Sequence, residues 1–176
     1  MSEPVPISVR TLAELFACRC EQGGGLAYVY LKDTAAIDRQ LTWVELAGEV
    51  NVLATALGGR VEPGTRALLI YPPGLEVVVA FWACIQAGLV PVPAPAPDPI
   101  RRKHSLSRLQ AILDDAQAAL VLTTAGIQAL CTEQSLVAKD RQVLWLATDQ
   151  PTGEGWPSLE NRSPTSDLAY LQYTLA

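Results

Sequence analysis

The stretch Arg66-Ala67-Leu68-Leu69-Ile70-Tyr71-Pro72-Pro73-Gly74 runs into an almost wholly apolar segment, Leu75 to Val92, and its reading decides the fold. Ala67 to Ile70 are apolar in succession, without the alternation of a half-exposed strand, so Arg66–Tyr71 reads as a parallel strand covered on both faces. Pro72-Pro73-Gly74 turns the chain. Leu75 to Ala87 then reads as a helix apolar nearly all round, Gly88 ends it, and Leu89–Val92 is a second short strand. Strand, helix, strand in that order implies a right-handed parallel crossover. The apolar segment approaches the roughly 20 residues of a bilayer span. Glu76 stands inside it, however, and Gly88 and Pro91 break it. It is read as a buried helix, with Glu76 in the first turn where the helix dipole favours a carboxylate.

Upstream, Thr11-Leu12-Ala13-Glu14 is a capping-box pattern for a helix from Leu12 to about Glu21, ended by Gly23-Gly24-Gly25. No strand precedes these glycines and no G-x-G-x-x-G follows, so they read as a connector rather than a phosphate cradle. Ala27–Leu31 and Ile37–Leu41 read as a small N-terminal β-hairpin. Thr42 and Glu45 form a second capping box, with Leu41 and Leu46 as a hydrophobic staple. Trp43, Leu46, Ala47, Val50, Leu53, Ala54 and Leu57 then make one helical face. Gly58-Gly59 is expected to stop that helix in a left-handed conformation, and Pro63-Gly64 to turn the chain into the first sheet strand.

Downstream, Pro91, Pro93, Pro95, Pro97 and Pro99 fall at every second position. Such a run is expected to stay out of a central sheet and lie extended as a crossover over 91–99. Arg101 to His104 read as a solvated basic turn, and Leu106, Leu109, Ile112, Leu113 and Ala116 as an amphipathic helix. Ala119–Thr123 is a third strand, Ala125 to about Cys131 a short helix, and Val143–Ala147 a fourth strand. A polar loop over 148–165 and a final strand, Leu168–Thr174, complete the pass. The sum is an α/β fold: a mostly parallel sheet with helices on both faces.

The chain has 176 residues, 49% apolar and 18% charged, with 13 Lys and Arg against 18 Asp and Glu for a net charge of -5. Ample apolar surface offsets the ordering entropy, and the acidic balance excludes an electrostatic grip on nucleic acid. Cys18, Cys20, Cys84 and Cys131 with the single His104 make a poor zinc site, so reduced thiols, no bound metal and a cytoplasmic location are expected. Met1 to Val9 shows no basic residue ahead of an apolar run, so no secretory signal is read there. No nucleophile elbow, H-E-x-x-H or Walker-type loop occurs. Asp114-Asp115 are helix neighbours that point apart, and read as surface charges near the helix end. No catalytic residue is assigned. Tyr71 and Gly74 lie at the carboxyl end of a parallel strand, where α/β folds place ligands.

Several strings carry a resemblance. Leu41-Thr42-Trp43-x-Glu45-Leu46, Val61-Glu62-Pro63-Gly64-x-Arg66-Ala67-Leu68-Leu69, Tyr71-Pro72-Pro73-Gly74-Leu75-Glu76 and Phe81-x-Ala83-Cys84-x-x-Ala87-Gly88-x-Val90-Pro91-Val92-Pro93 resemble the start of adenylate-forming ligases. Pro95, Pro97 and Arg101, followed by Arg108-Leu109-Gln110-Ala111-Ile112-x-x-Asp115-Ala116, are similar to the fatty-acyl-AMP ligase branch. Asp167-Leu168-Ala169-Tyr170-Leu171-Gln172-Tyr173-Thr174 resembles the strand leading into that family's phosphate-binding loop. The resemblance implies that residues 1–176 are the N-terminal portion of an adenylation domain. It implies activation of a fatty acid with ATP and Mg²⁺ as an acyl-adenylate, for transfer to an acyl carrier protein. It also implies Thr174 as the first residue of the nucleotide loop. The loop's Ser/Thr/Gly-rich continuation, ending in Lys, would follow Thr174, where this sequence has Leu175-Ala176. The resemblance thus leads one to expect no adenylation, and no ATP bound well, by these residues alone. Two alternatives stay open. One is a non-catalytic module that binds a partner through an exposed, unfinished sheet; self-association at that sheet is expected on the ligase reading too. The other is an unrelated α/β ligand-binding domain, which the missing Gly-rich fingerprint disfavours.

Overall fold

The structure, a computed structural model, describes residues 9–32, 36–133, 136, 142–150 and 168–174. Its elements run α1 (Leu12–Gln22), β1 (Leu26–Leu31), β2 (Ile37–Thr42), α2 (Trp43–Gly58), β3 (Arg66–Tyr71), α3 (Glu76–Gln86), β4 (Val90–Pro95), α4 (Arg102–Asp115), β5 (Leu120–Thr123), α5 (Ala125–Glu133) and β6 (Leu144–Ala147). β1 and β2 form an antiparallel hairpin. The other four strands form one parallel sheet in the order β4-β3-β5-β6. The expected α/β architecture is present. No described helix is long and apolar enough to cross a membrane.

Side chains alternate across a strand, and here both faces are covered. Ala67, Leu69 and Tyr71 of β3 join Leu120, Leu122 and Leu146 in a core shared with α1, α2 and α3. Leu68 and Ile70, with Val92 and Val121, face the other way onto Leu106, Leu109, Ile112 and Leu113 of α4 and Cys131 of α5. Two apolar faces explain why β3 shows no polar alternation. Its one buried polar neighbour, Thr123, donates its hydroxyl to the Ile70 carbonyl at 2.7 Å.

Both capping boxes form. Thr11 Oγ1 accepts from the Glu14 amide at 3.1 Å, and Thr42 Oγ1 from the Glu45 amide at 3.3 Å, while each Glu carboxylate reaches back to its cap. Between α2 and β3 the Thr65 amide donates to the Glu62 carbonyl at 3.2 Å, with Gly64 at φ +80°. That is a type II turn, which places a left-handed residue after Pro63. A Cβ at Gly64 would meet nothing within 4 Å, so the cost of replacing it is backbone strain alone. Gly64→Ala is expected to lower stability by about 1 kcal/mol, read as a lower urea midpoint at unchanged slope.

Four expectations need correction. The proline run does join the sheet, because β4 extends through Pro95 as an edge strand, where proline is tolerated. Val90 donates to the Thr65 carbonyl at 3.0 Å, so positions 90, 92 and 94 turn their backbone groups toward β3. The alternate positions, Pro91, Pro93 and Pro95, turn theirs outward, where a missing N–H breaks no bond of the sheet. Second, Leu168–Thr174 is not a strand; it lies irregularly, with the Leu171 amide donating to the Pro91 carbonyl at 3.1 Å. An edge whose outward residues are prolines can accept but cannot donate, so no ladder forms.

Third, Arg102, Lys103 and His104 stand in the first turn of α4 rather than in a turn before it. Cations are unfavourable there, and Asp98 compensates by accepting from the Ile100 and Arg101 amides at 2.8 and 3.2 Å. Fourth, Gly59 ends α2 in right-handed geometry, φ -86°, and the Arg60 and Val61 amides fold back onto the Leu57 carbonyl. Of the loop expected over 148–165, residues 148–150 are described and 151–165 lie outside the described residues.

Candidate functional site

Parallel strands bring their carboxyl ends to one side of the sheet. There Tyr71 ends β3, Thr123 ends β5, and Thr148 and Asp149 follow β6. The Thr148 hydroxyl lies 3.3 Å from the Thr123 carbonyl, to which it donates. The Tyr71 hydroxyl, 3.0 Å from Thr148 Oγ1, is then the donor of that pair. Burial pushes the Tyr71 phenol well above its ordinary pKa, so it stays protonated. Asp149 accepts from the Ala125 amide at 2.8 Å, at the start of α5 where the dipole favours a carboxylate. Gly74 lies in the turn after β3, so close to the Glu76 carboxylate that a side chain at 74 would collide with it.

Beside these strand ends opens a cavity of about 730 Å³, bordered by Arg39, Glu49, Glu76, Val52, Leu146 and Asp149 among others. Arg39 of β2 reaches across it, with two bonds to Glu49 at 2.7 and 2.8 Å and one to Glu76 at 2.7 Å. Burial opposes the Arg39 charge, but the bonds to Glu49 and the attraction of both carboxylates outweigh it. The fork thereby ties the hairpin to α2 and α3. Among the described residues that border it, three carboxylates stand against one guanidinium beside an apolar lining. Among the described residues no group of three or more His, Cys, Asp or Glu side chains gathers as metal ligands would, and all four cysteines are free thiols.

Of the positions singled out in the sequence, Tyr71 and Gly74 stand at this end of the sheet. Thr174 is exposed and follows Tyr173, whose hydroxyl donates to Asp115 at 2.5 Å beside the β4 edge. Asp114 and Asp115 do diverge: Gln110 donates to Asp114 at 3.0 Å, and Asp115 takes Tyr173. Arg39, Glu49, Thr148 and Asp149 escaped sequence reading. Their partners are too distant along the chain for any local pattern to flag.

Compared with known proteins, residues 19–174 match the family model described as AMP-binding enzyme. The chain belongs to the AMP-binding enzyme family. Among relatives of this AMP-binding enzyme chain, the medium-chain-fatty-acid–[acyl-carrier-protein] ligase JamA of Moorena producens (strain JHB) is 38% identical over 180 residues. That match covers 99% of the chain and 30% of JamA. The long-chain-fatty-acid–AMP ligase FadD32 of Mycolicibacterium smegmatis is 28% identical over 160 residues, covering 87% of the chain and 25% of FadD32. The solved fatty acyl-adenylate ligase from L. pneumophila, in complex with acyl adenylate and pyrophosphate, superposes with a TM-score of 0.76. It is 23% identical and covers 96% of the chain and 28% of that protein. The fold is therefore that of the AMP-binding enzymes. The chain spans less than a third of the length of these relatives.

Proposed function

We propose that this AMP-binding enzyme chain is part of a cytoplasmic ligase that activates a fatty acid with ATP as its acyl-adenylate, for transfer to an acyl carrier protein. The observation that carries this reading is the 38% identity to JamA over 99% of the chain. Within such a ligase these residues supply the buried parallel sheet, the apolar groove at its strand ends and the lead-in to a nucleotide loop at Thr174. On this reading the groove bordered by Glu49, Glu76 and Asp149 does not hold the phosphates. ATP and its Mg²⁺ would be bound by groups beyond those described, and no step of the reaction is assigned to the described side chains.

Phosphoryl chemistry rests on positioning and on charge stabilisation, and on this reading groups other than the described side chains supply both. Fatty-acid-dependent exchange of labelled pyrophosphate into ATP tests both halves of the reading. The purified 176-residue chain is expected to show no exchange above a no-acid control. JamA carrying this chain in place of its matching segment is expected to exchange. A folded chimera that stays silent counts against the ligase reading and favours a non-catalytic module. That module would self-associate at β6, whose outer side pairs with no strand among the described residues.

A further inference from the structure

The outer edge of β4 presents Pro91, Pro93 and Pro95, so it offers carbonyls and no amides to whatever lies beside it. Residues 168–174 nevertheless lie there and straddle the edge. On one side Tyr170 meets Phe81 of α3 edge-on, ring centroids 5.6 Å apart at 71°. On the other, Leu171 and Tyr173 pack against the core beneath α4. Backbone pairing in strand form is closed to this segment. A polar tie from it crosses 58 positions of sequence: the Tyr173 hydroxyl donates to Asp115 Oδ2 at 2.5 Å. That length belongs to an O–H···O⁻ bond, roughly twice as strong as a neutral one.

Asp115 is the last residue of α4, where the helix dipole disfavours a carboxylate and the last turn holds no basic side chain. Two donors converge on this helix end from elsewhere. The Arg66 guanidinium donates to the Ala116 carbonyl at 2.7 Å, and Tyr173 donates to Asp115. The Tyr173 phenol is pushed up to about 12 by burial and then by Asp115, with Arg66 pulling the other way, so the donor stays protonated at neutral pH.

We propose that the Tyr173–Asp115 hydrogen bond, in place of strand pairing, holds residues 168–174 on the β4 edge and thereby positions Thr174. Both residues are positioning residues. Their bearing on nucleotide binding rests on the ligase reading above, whereas the tether itself does not.

The test is amide hydrogen exchange on the 176-residue chain, read as the exchange rate of Leu171, with Leu68 in β3 reporting global unfolding. Losing the tether destabilises the folded state against local and global opening alike, so the rate of Leu171 itself carries the result. Tyr173→Phe removes one oxygen and keeps the ring. It is expected to speed Leu171 exchange roughly tenfold, Asp115→Ala to do the same, and the double variant to add little. Asp115→Asn keeps an acceptor and is expected to speed it less. A Leu171 rate unchanged in Tyr173→Phe and Asp115→Ala, even where Leu68 speeds up, or an unprotected Leu171 in the unaltered chain, would overturn the proposal. In the JamA chimera, Tyr173→Phe is expected to raise KM for ATP more than it lowers kcat. Equal kcat and KM in a chimera whose Leu171 rate has risen would refute the positioning of Thr174. A chimera with no exchange of pyrophosphate at all speaks against the ligase reading, and the tether is then decided by the Leu171 rate.

Discussion

Replacing Leu69 with alanine is expected to lower the free energy of unfolding by about 3–5 kcal/mol, a large share of the 5–15 kcal/mol typical of a domain. β3 is hydrogen-bonded to β4 on one side and β5 on the other. Leu69 at its centre is fully buried, in the core that the sheet shares with α2 and α3. Neither neighbour strand can close over the lost methyl groups without breaking register, so most of the cavity stays open. The cost is then the lost transfer energy plus the cavity. Val52 of α2, 62% exposed, is the control. Val52→Ala should stay within about 0.5 kcal/mol. Urea unfolding of both variants decides the matter. A Leu69→Ala loss below about 1 kcal/mol would show that β3 is not the packed centre of the sheet.

The sheet was legible because burial on two faces leaves a plain signal. Ala67–Ile70, Leu120–Leu122 and the run from Leu75 are apolar without a break, and the topology follows from the helices between them. The two capping boxes were legible because their partners lie three residues apart. Errors arose where a side chain's meaning depends on which way the backbone faces. The alternate prolines look hostile to any sheet, yet their period of two places each missing amide on the outer side of an edge strand. The same geometry then denies Leu168–Thr174 the strand partner that its apolar letters predict. At the candidate site Tyr71 and Gly74 were legible by position, and no more. Tyr71 meets Thr148 across 77 positions and Arg39 meets Glu76 across 37. Pairings of that span exist only after the strands have aligned.

Trp82→Ala is expected to cost a further large amount, about 3–5 kcal/mol, and to loosen one particular part of the molecule. Trp82 of α3 is 9% exposed and stacks on Phe16 of α1, ring centroids 4.8 Å apart at 23°. Phe81 meets it edge-on at 5.7 Å, and its indole N–H donates to the Tyr28 hydroxyl of β1 at 3.2 Å. One ring therefore joins α1, α3 and the hairpin, and aromatic pairs add roughly 0.5–1.5 kcal/mol each beyond the area they bury. Phe16 is the one buried residue of α1, so this helix depends on the stack more than the parallel sheet does. Amides of α1 that exchange by local opening should consequently exchange faster in Trp82→Ala by the full factor of the lost stability. Trp82→Phe should recover most of the loss, since it keeps a ring over Phe16, and the Tyr28 hydroxyl, on a half-exposed side chain, can turn to water. If both substitutions cost the same, the indole hydrogen bond rather than the stack holds the hairpin. If the sheet amides speed up while those of α1 keep their rates, α1 opens without breaking the stack and the assignment of Trp82 as its anchor fails.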